Sequence, residues 1–264
     1  MAQATSISIK QGTPNWADCA TANLEAAETF YSAVFGWSSD RITNEHGSIY
    51  SLQRLDGKLV AGLFELDEEM QHRGVEPHWG TYIQVDDVRA ILKRVRREGG
   101  VVLDGPVDEP GVGTIAVIRD PVDAVVRFWH PAPEHGAEVF NTAGAMTWNE
   151  LNTKEPERAA AFYESVLGVT VDVMEDPSPY RTLNVDGRAV AGILETTPEM
   201  GDFPSSWDVY FASDDVDATV ESVRSAGGTV LREPFDIPAM ARMAVLQDPQ
   251  GAVFEVIRMT SEAS

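Results

Sequence analysis

The stretch Asp248-Pro249-Gln250-Gly251-Ala252-Val253-Phe254-Glu255 reads as a tight Asp-Pro turn feeding an alternating strand, and Asp120-Pro121 opens the matching turn 128 residues earlier. Outward from these turns the same spacing separates Trp79 from Trp207, Asp86-Asp87 from Asp214-Asp215, Gly99-Gly100 from Gly227-Gly228 and Pro106 from Pro234. Nearer the start of each stretch the register shifts by loop-sized steps. Val60-Ala61-Gly62 and Val190-Ala191-Gly192 lie 130 apart, while Asn15-Trp16-Ala17-Asp18, Phe30-Tyr31 and Gly36 lie 132 before Thr147-Trp148-Asn149-Glu150, Phe162-Tyr163 and Gly168. Loops absorb such insertions without disturbing the elements they join, so the chain is a tandem repeat of one unit.

Each copy reads as a βαβββ module of the α+β class: a short strand, an amphipathic helix ending at glycine, a hairpin, a strand, a second helix ending in Gly-Gly, and a final hairpin at Asp-Pro. In the second copy the first helix is predicted from about Glu155 to Leu167, with Ala159, Phe162, Tyr163 and Val166 on one face, and the second from about Val216 to Ala226. Residues 132–143 have no periodicity and are the predicted linker.

The 264 residues are 43% hydrophobic, enough for well-buried cores. With 42 acidic against 20 basic residues the net charge is -22, which repels nucleic acid backbones and anionic membranes, so neither is an expected partner. No apolar run is long enough to span a bilayer and the start of the chain lacks an apolar signal core, so the expectation is a cytoplasmic protein, monomeric or homodimeric. The single Cys19 supports neither an internal disulfide nor a cysteine-rich metal site.

Because neighbouring strand residues point to opposite faces, the strands can be sorted by parity. In the second copy Leu151, Val209, Phe211, Phe254 and Val256 share the parity the helices must cover, leaving Trp148, Glu150, Asn152, Asp208, Tyr210 and Glu255 on the other. In the first copy Ile83, Val85, Val126 and Phe128 are the core set, and Trp16, Asp18, Tyr82, Gln84, Arg127 and Trp129 are the opposite set. Matched tryptophans on an uncovered sheet face suit the walls of a cleft for a flat apolar ligand.

Three features together resemble the vicinal oxygen chelate superfamily of glyoxalases, bleomycin resistance proteins and extradiol dioxygenases. They are Phe162-Tyr163 with Leu167-Gly168, the helix start Asp214-Asp215-Val216, and the hairpin from Asp248 to Glu255. More closely, the chain looks like a two-module subgroup often labelled glyoxalase-like antigens or hydroxylases. The likeness covers 11–131 and 144–259 as two modules, and implies that they pair into a curved, mostly antiparallel eight-stranded sheet around a cleft that commonly holds a divalent metal and a small substrate. Family ligand places fall on Trp148, Asp208 and Glu255 in the second copy, and on Trp16, Gly80 and Arg127 in the first. An indole N–H, a glycine and a guanidinium cannot ligate a cation, and none of the five histidines (His46, His72, His78, His130, His135) lies in the second module. No cofactor is therefore expected. A divalent metal stays open, as a hard cation on Asp208 and Glu255 with Glu150, or on a site that borrows His78 or His130.

Gly111-Val112-Gly113-Thr114-Ile115-Ala116 leads into a strand and reads as a hairpin turn, not a dinucleotide site, and no hydrolase or phosphate-loop motif occurs. The expected function is binding of a small aromatic or carbonyl compound, for sequestration, resistance or metal-free tailoring; whether the chain is an enzyme stays open. Candidate acid or base groups are Glu150, Asp208 and Glu255, and candidate ligand contacts are Trp16, Asp18, Tyr82, Arg127, Trp148, Asn152, Tyr210 and Arg242. The alternative is a metal-dependent lyase, isomerase, dioxygenase or hydroxylase.

Overall fold

The computed structural model describes residues 9–43, 47–133, 135–174 and 180–260, so His46 lies outside the described residues. In chain order the first copy contributes β1 (Pro14–Thr21), α1 (Leu24–Phe35), β2 (Ser38–Thr43), β3 (Ile49–Leu55), β4 (Lys58–Glu65), a short α2 (Glu68–His72), β5 (His78–Gln84), α3 (Val88–Arg97), β6 (Val101–Glu109), β7 (Gly113–Arg119) and β8 (Val125–Pro131). The second contributes β9 (Met146–Thr153), α4 (Pro156–Leu167), β10 (Thr170–Met174), β11 (Tyr180–Val185), β12 (Arg188–Glu195), β13 (Ser206–Ala212), α5 (Val216–Ser225), β14 (Thr229–Ile237), β15 (Ala241–Gln247) and β16 (Val253–Met259).

The α+β class and the tandem repeat hold, with one refinement. Each copy contains two βαβββ units, and each has its own eight-stranded mixed sheet, in the orders β2-β3-β4-β1-β5-β8-β7-β6 and β10-β11-β12-β9-β13-β16-β15-β14. One sheet shared between the copies is not what forms, because the strand–helix–hairpin pattern occurs twice per copy: β5–β8 repeats β1–β4 with little sequence likeness. The turn at Gly111 joins β6 to β7 in a hairpin, as expected.

Helix boundaries follow local chemistry. Asn23, Asp87 and Asp215 cap α1, α3 and α5 by accepting the backbone N–H of Ala26, Ala90 and Ala218. Gly36 and Gly168 end α1 and α4 in the left-handed region, at φ 73° and 76°, where a side chain is strained.

The chain divides into two compact units that cut across the copies. One gathers the chain up to Asn15 with Tyr82–His135 and Leu151–Ser206; the other gathers Trp16–Thr81, Gly136–Glu150 and the chain from Trp207 onward. Inside the first unit Tyr163 of α4 donates to Asp120 Oδ2 (2.7 Å), and the Phe162 ring lies 3.1 Å from where a Cβ on Gly100 would stand. Inside the second unit Tyr31 of α1 donates to Asp248 Oδ2 (3.0 Å), and the Phe30 ring lies 3.0 Å from where a Cβ on Gly228 would stand. Each aspartate also uses Oδ1 to accept two backbone N–H groups of its own turn, Val122 and Ala124 or Gln250 and Ala252. The Phe-Tyr, Gly-Gly and Asp-Pro repeats thus form one clamp used twice, the helix of one copy gripping the last hairpin of the other.

Candidate functional site

In the second copy β13 and β16 run parallel with Tyr210 opposite Glu255, and β15 returns antiparallel with Val245 opposite Glu255. The two-residue period then puts Ile257, Met243 and Ala241 on the face of Tyr210 and Glu255. These apolar side chains form a cluster with Tyr210, against which Trp148, Phe235, Ile237 and Met240 pack. The opposite parity, Val209, Phe211, Ala244, Phe254 and Val256, lies in a separate large core with α1 and α5.

Tyr210 Oη donates to Glu150 Oε1 at 2.7 Å. Burial, then the negative charges of Glu150, Glu255 and Asp208, push the Tyr210 phenol well above its ordinary value, so it stays a donor. Glu255 is only 3% exposed. Burial foremost, then Asp208 and Glu150, push its carboxyl well above the ordinary glutamate value; all three influences act in the same direction. Its Oε2 has no hydrogen-bond partner among the described residues, an uncommon state for a buried carboxyl oxygen. The three expected acid or base residues are therefore brought into one electrostatic group. Trp148 and Asp208 are half-buried beside it, and Asn152 is buried two positions along β9 from Glu150.

Arg242 is not part of this group. It pairs with Arg258 in the β15–β16 register, on the helix-covered parity, and its guanidinium binds Asp217 at the start of α5 (2.7 and 2.8 Å) and Asp236 (3.0 Å). As a candidate ligand contact it stands one residue out of phase with Met243, off the face of Tyr210 and Glu255. Met240, Met243, Phe235 and Ile257 were not singled out from the sequence; the alternation Ala241, Met243, Val245 was the available signal.

The first copy uses matching places differently. Within one unit, Trp16 donates its indole N–H to Tyr50 Oη (2.9 Å), and Tyr50 donates to Asp18 Oδ2 (3.3 Å). A Cβ at Gly62 would collide with the Tyr50 hydroxyl, so glycine there makes room for the chain of bonds. Trp16 is 5% exposed and packed in place, not the open cleft wall expected of it. Within the other unit, Arg127 stands over the Tyr82 ring, 5.3 Å from its centroid, and Tyr82 meets Trp129 edge-on. Gln84 bonds Asn15 and the backbone of Ile9.

At the places that match the family's metal ligands, several side chains are poor donors. Trp16, Gly80 and Arg127 offer no lone pair. In the second copy Trp148 offers none, Glu150 is engaged by Tyr210, and among the described residues no group of three or more His, Cys, Asp or Glu is arranged to hold an ion. His78 and His130 each turn Nδ1 to a backbone carbonyl, of Glu76 and Val85.

A family model described as Glyoxalase/Bleomycin resistance protein/Dioxygenase superfamily matches residues 13–128 and 142–256. The chain is 42% identical over 252 residues to a protein named "Putative glyoxylase CFP32" from Mycobacterium tuberculosis, covering 94% of this chain and 95% of the relative. It is 33% identical to the anthracycline biosynthesis protein DnrV of Streptomyces peucetius, over 94% of both chains. Among solved structures, the Mn(II)-bound glyoxalase of Novosphingobium aromaticivorans superposes with a TM-score of 0.64 at 17% identity, over 95% of this chain and 84% of that one. The 2,3-dioxygenase LapB of Pseudomonas sp. KL28 gives 0.63 at 13%, over 97% and 96%. At those identities the likeness is one of fold.

Proposed function

The chain belongs to the Glyoxalase/Bleomycin resistance protein/Dioxygenase superfamily, and on that premise we propose that it binds a small aromatic or carbonyl-bearing molecule on the second-copy sheet face without a resident metal. The observation that carries this reading is Glu255, a buried carboxyl with an oxygen lacking a partner among the described residues, beside the Tyr210–Glu150 hydrogen bond and an apolar group that includes Trp148, Met243 and Phe235. An apolar wall with a few convergent polar groups is the composition of a ligand site. A buried polar atom left unsatisfied costs stability that an incoming ligand restores. The relationship to anthracycline biosynthesis proteins agrees with a flat, oxygenated ring system as ligand.

Binding alone serves sequestration or resistance. If the same face performs a tailoring step, Glu255 is the general acid, since a carboxyl held well above its ordinary value keeps its proton nearer neutrality, and Glu150 and Asp208 are the bases. No metal step is needed for such proton transfer. The working site is assigned to the second module, 144–259, of a cytoplasmic monomer or homodimer. Two measurements test the proposal. Elemental analysis of protein purified without a metal-affinity tag is expected to show less than one divalent ion per chain; one tightly held ion, lost in Asp208→Ala or Glu255→Ala, overturns the metal-free reading. Fluorescence titration with planar aromatic and dicarbonyl compounds is expected to show saturable binding, and no binding by any of them overturns the site.

A further inference from the structure

The second-copy face gathers three carboxyl groups; Arg232 of β14, opposite Val245, shares the face with its exposed guanidinium over the Phe235 ring, 3.5 Å from the centroid. Facing Glu255 are Glu150 from β9, Asp208 and Tyr210 from β13, and the apolar Met243 and Val245 from β15. Arg242 and Arg258 have the other parity, and Arg242 is held by Asp217 and Asp236. At the place in the first copy that matches Glu255 stands Arg127, so equivalent positions carry opposite charge.

A second observation points to a ligand. Glu255 is 3% exposed, shares its face with the apolar cluster, and has Oε2 without a hydrogen-bond partner among the described residues. A neutral carbonyl ligand takes a hydrogen bond from a protonated Glu255, whose charge and repulsion with Asp208 and Glu150 are then gone, and does nothing for the ionised carboxylate. A ligand N–H carrying positive charge fills the vacant acceptor and lowers that repulsion together, with a charge-assisted bond in a poorly solvated place. We propose that the ligand of this face is an aromatic amine cation, its N–H on Glu255 Oε2 and its rings against Trp148, Met240 and Met243. This rests on the binding reading above and narrows it from aromatic or carbonyl compounds to cationic ones. The net charge of -22 favours the approach of such a ligand at low salt.

The test uses the full-length chain and two three-ring probes of matched size, 9-aminoacridine as the cation and acridone as the neutral carbonyl compound, titrated calorimetrically at neutral pH. The expected result is a Kd for 9-aminoacridine about tenfold or more below that for acridone, an advantage that collapses towards parity in Glu255→Gln. Acridone binding as tightly as the amine overturns the cation while leaving the aromatic site standing. Failure of both probes to bind overturns the site and the cation together. A cation advantage that survives intact in folded Glu255→Gln overturns the role of Glu255. The wild-type ratio alone is decisive should the variant not fold.

Discussion

Arg127 and Glu255 stand at equivalent places, each opposite a buried tyrosine on the neighbouring parallel strand, Tyr82 or Tyr210. The arginine lies over its tyrosine ring, whereas the glutamate is pushed towards its protonated form with one oxygen lacking a partner among the described residues. The same contrast runs through the first strands, where Trp16 is locked to Tyr50 and its counterpart Trp148 is half-buried. Meanwhile the clamps Tyr31–Asp248 and Tyr163–Asp120 are alike. Duplication kept the groups that hold helices to hairpins and released the sheet faces, which now carry an arginine and a glutamate at the matching place.

The largest expected effect tests the shared half of this comparison. Asp120→Ala and Asp248→Ala each remove three hydrogen bonds from a buried carboxyl, and each is expected to cost about 3–5 kcal/mol in chemical denaturation. Near-equal losses support one clamp used twice; a loss at only one site breaks the equivalence.

Next is the tryptophan pair. Trp16→Ala removes a packed indole with its bond to Tyr50 and is expected to destabilise by about 3–4 kcal/mol, while Trp148→Ala costs about 1 kcal/mol and weakens 9-aminoacridine binding by about tenfold. Equal destabilisation by both, with affinity unchanged in Trp148→Ala, makes both residues core and removes the functional difference between the faces.

A smaller effect follows from Glu255. Its carboxyl is raised in the fold mainly by burial, so the native state binds the proton more tightly than the unfolded chain does. Its contribution is fully present below the ordinary glutamate value and is lost as pH rises through the raised one. Glu255→Gln should therefore gain stability relative to the parent as pH goes from about 4 to 8, by about 1–2 kcal/mol. Asp120, pushed up to about 6 chiefly by its burial, gives the parent a slope of the same sign, which cancels when the two proteins are compared. A flat difference between melting curves across that range counts against an ionisable buried Glu255.

Much of this was legible before any coordinates. Repeat spacing identified the clamp residues, since Phe-Tyr, Gly-Gly and Asp-Pro leave identity behind wherever close packing and turn geometry admit few substitutes. Parity sorted Glu150, Asp208, Tyr210 and Glu255 onto one face because strand alternation is a local property. Pairing was harder to read. That Trp16 is stopped by Tyr50 depends on β1, β3 and β4 coming together around Gly62, and that each clamp joins helix and hairpin from different copies depends on long-range assembly that periodicity does not encode.

The smallest expected effect concerns Arg242, and it sharpens the boundary of the site. Its guanidinium is held by Asp217 and Asp236 on the helix-covered side of β15, and these partners raise its already high pKa further, so it stays charged at any working pH. The pairs are solvent-exposed, where Coulomb attraction is screened and side-chain ordering offsets most of the gain. Arg242→Ala should leave the melting temperature nearly unchanged and the affinity for 9-aminoacridine within about twofold, because it stands one residue out of phase with Met243 and so off the ligand face. Tighter binding of the cation by more than that would mean that the charge of Arg242 reaches the carboxyl group through the sheet, and the site would have to be drawn to include it. Weaker binding would place its guanidinium on the ligand itself, and the two faces of β15 would then share one function.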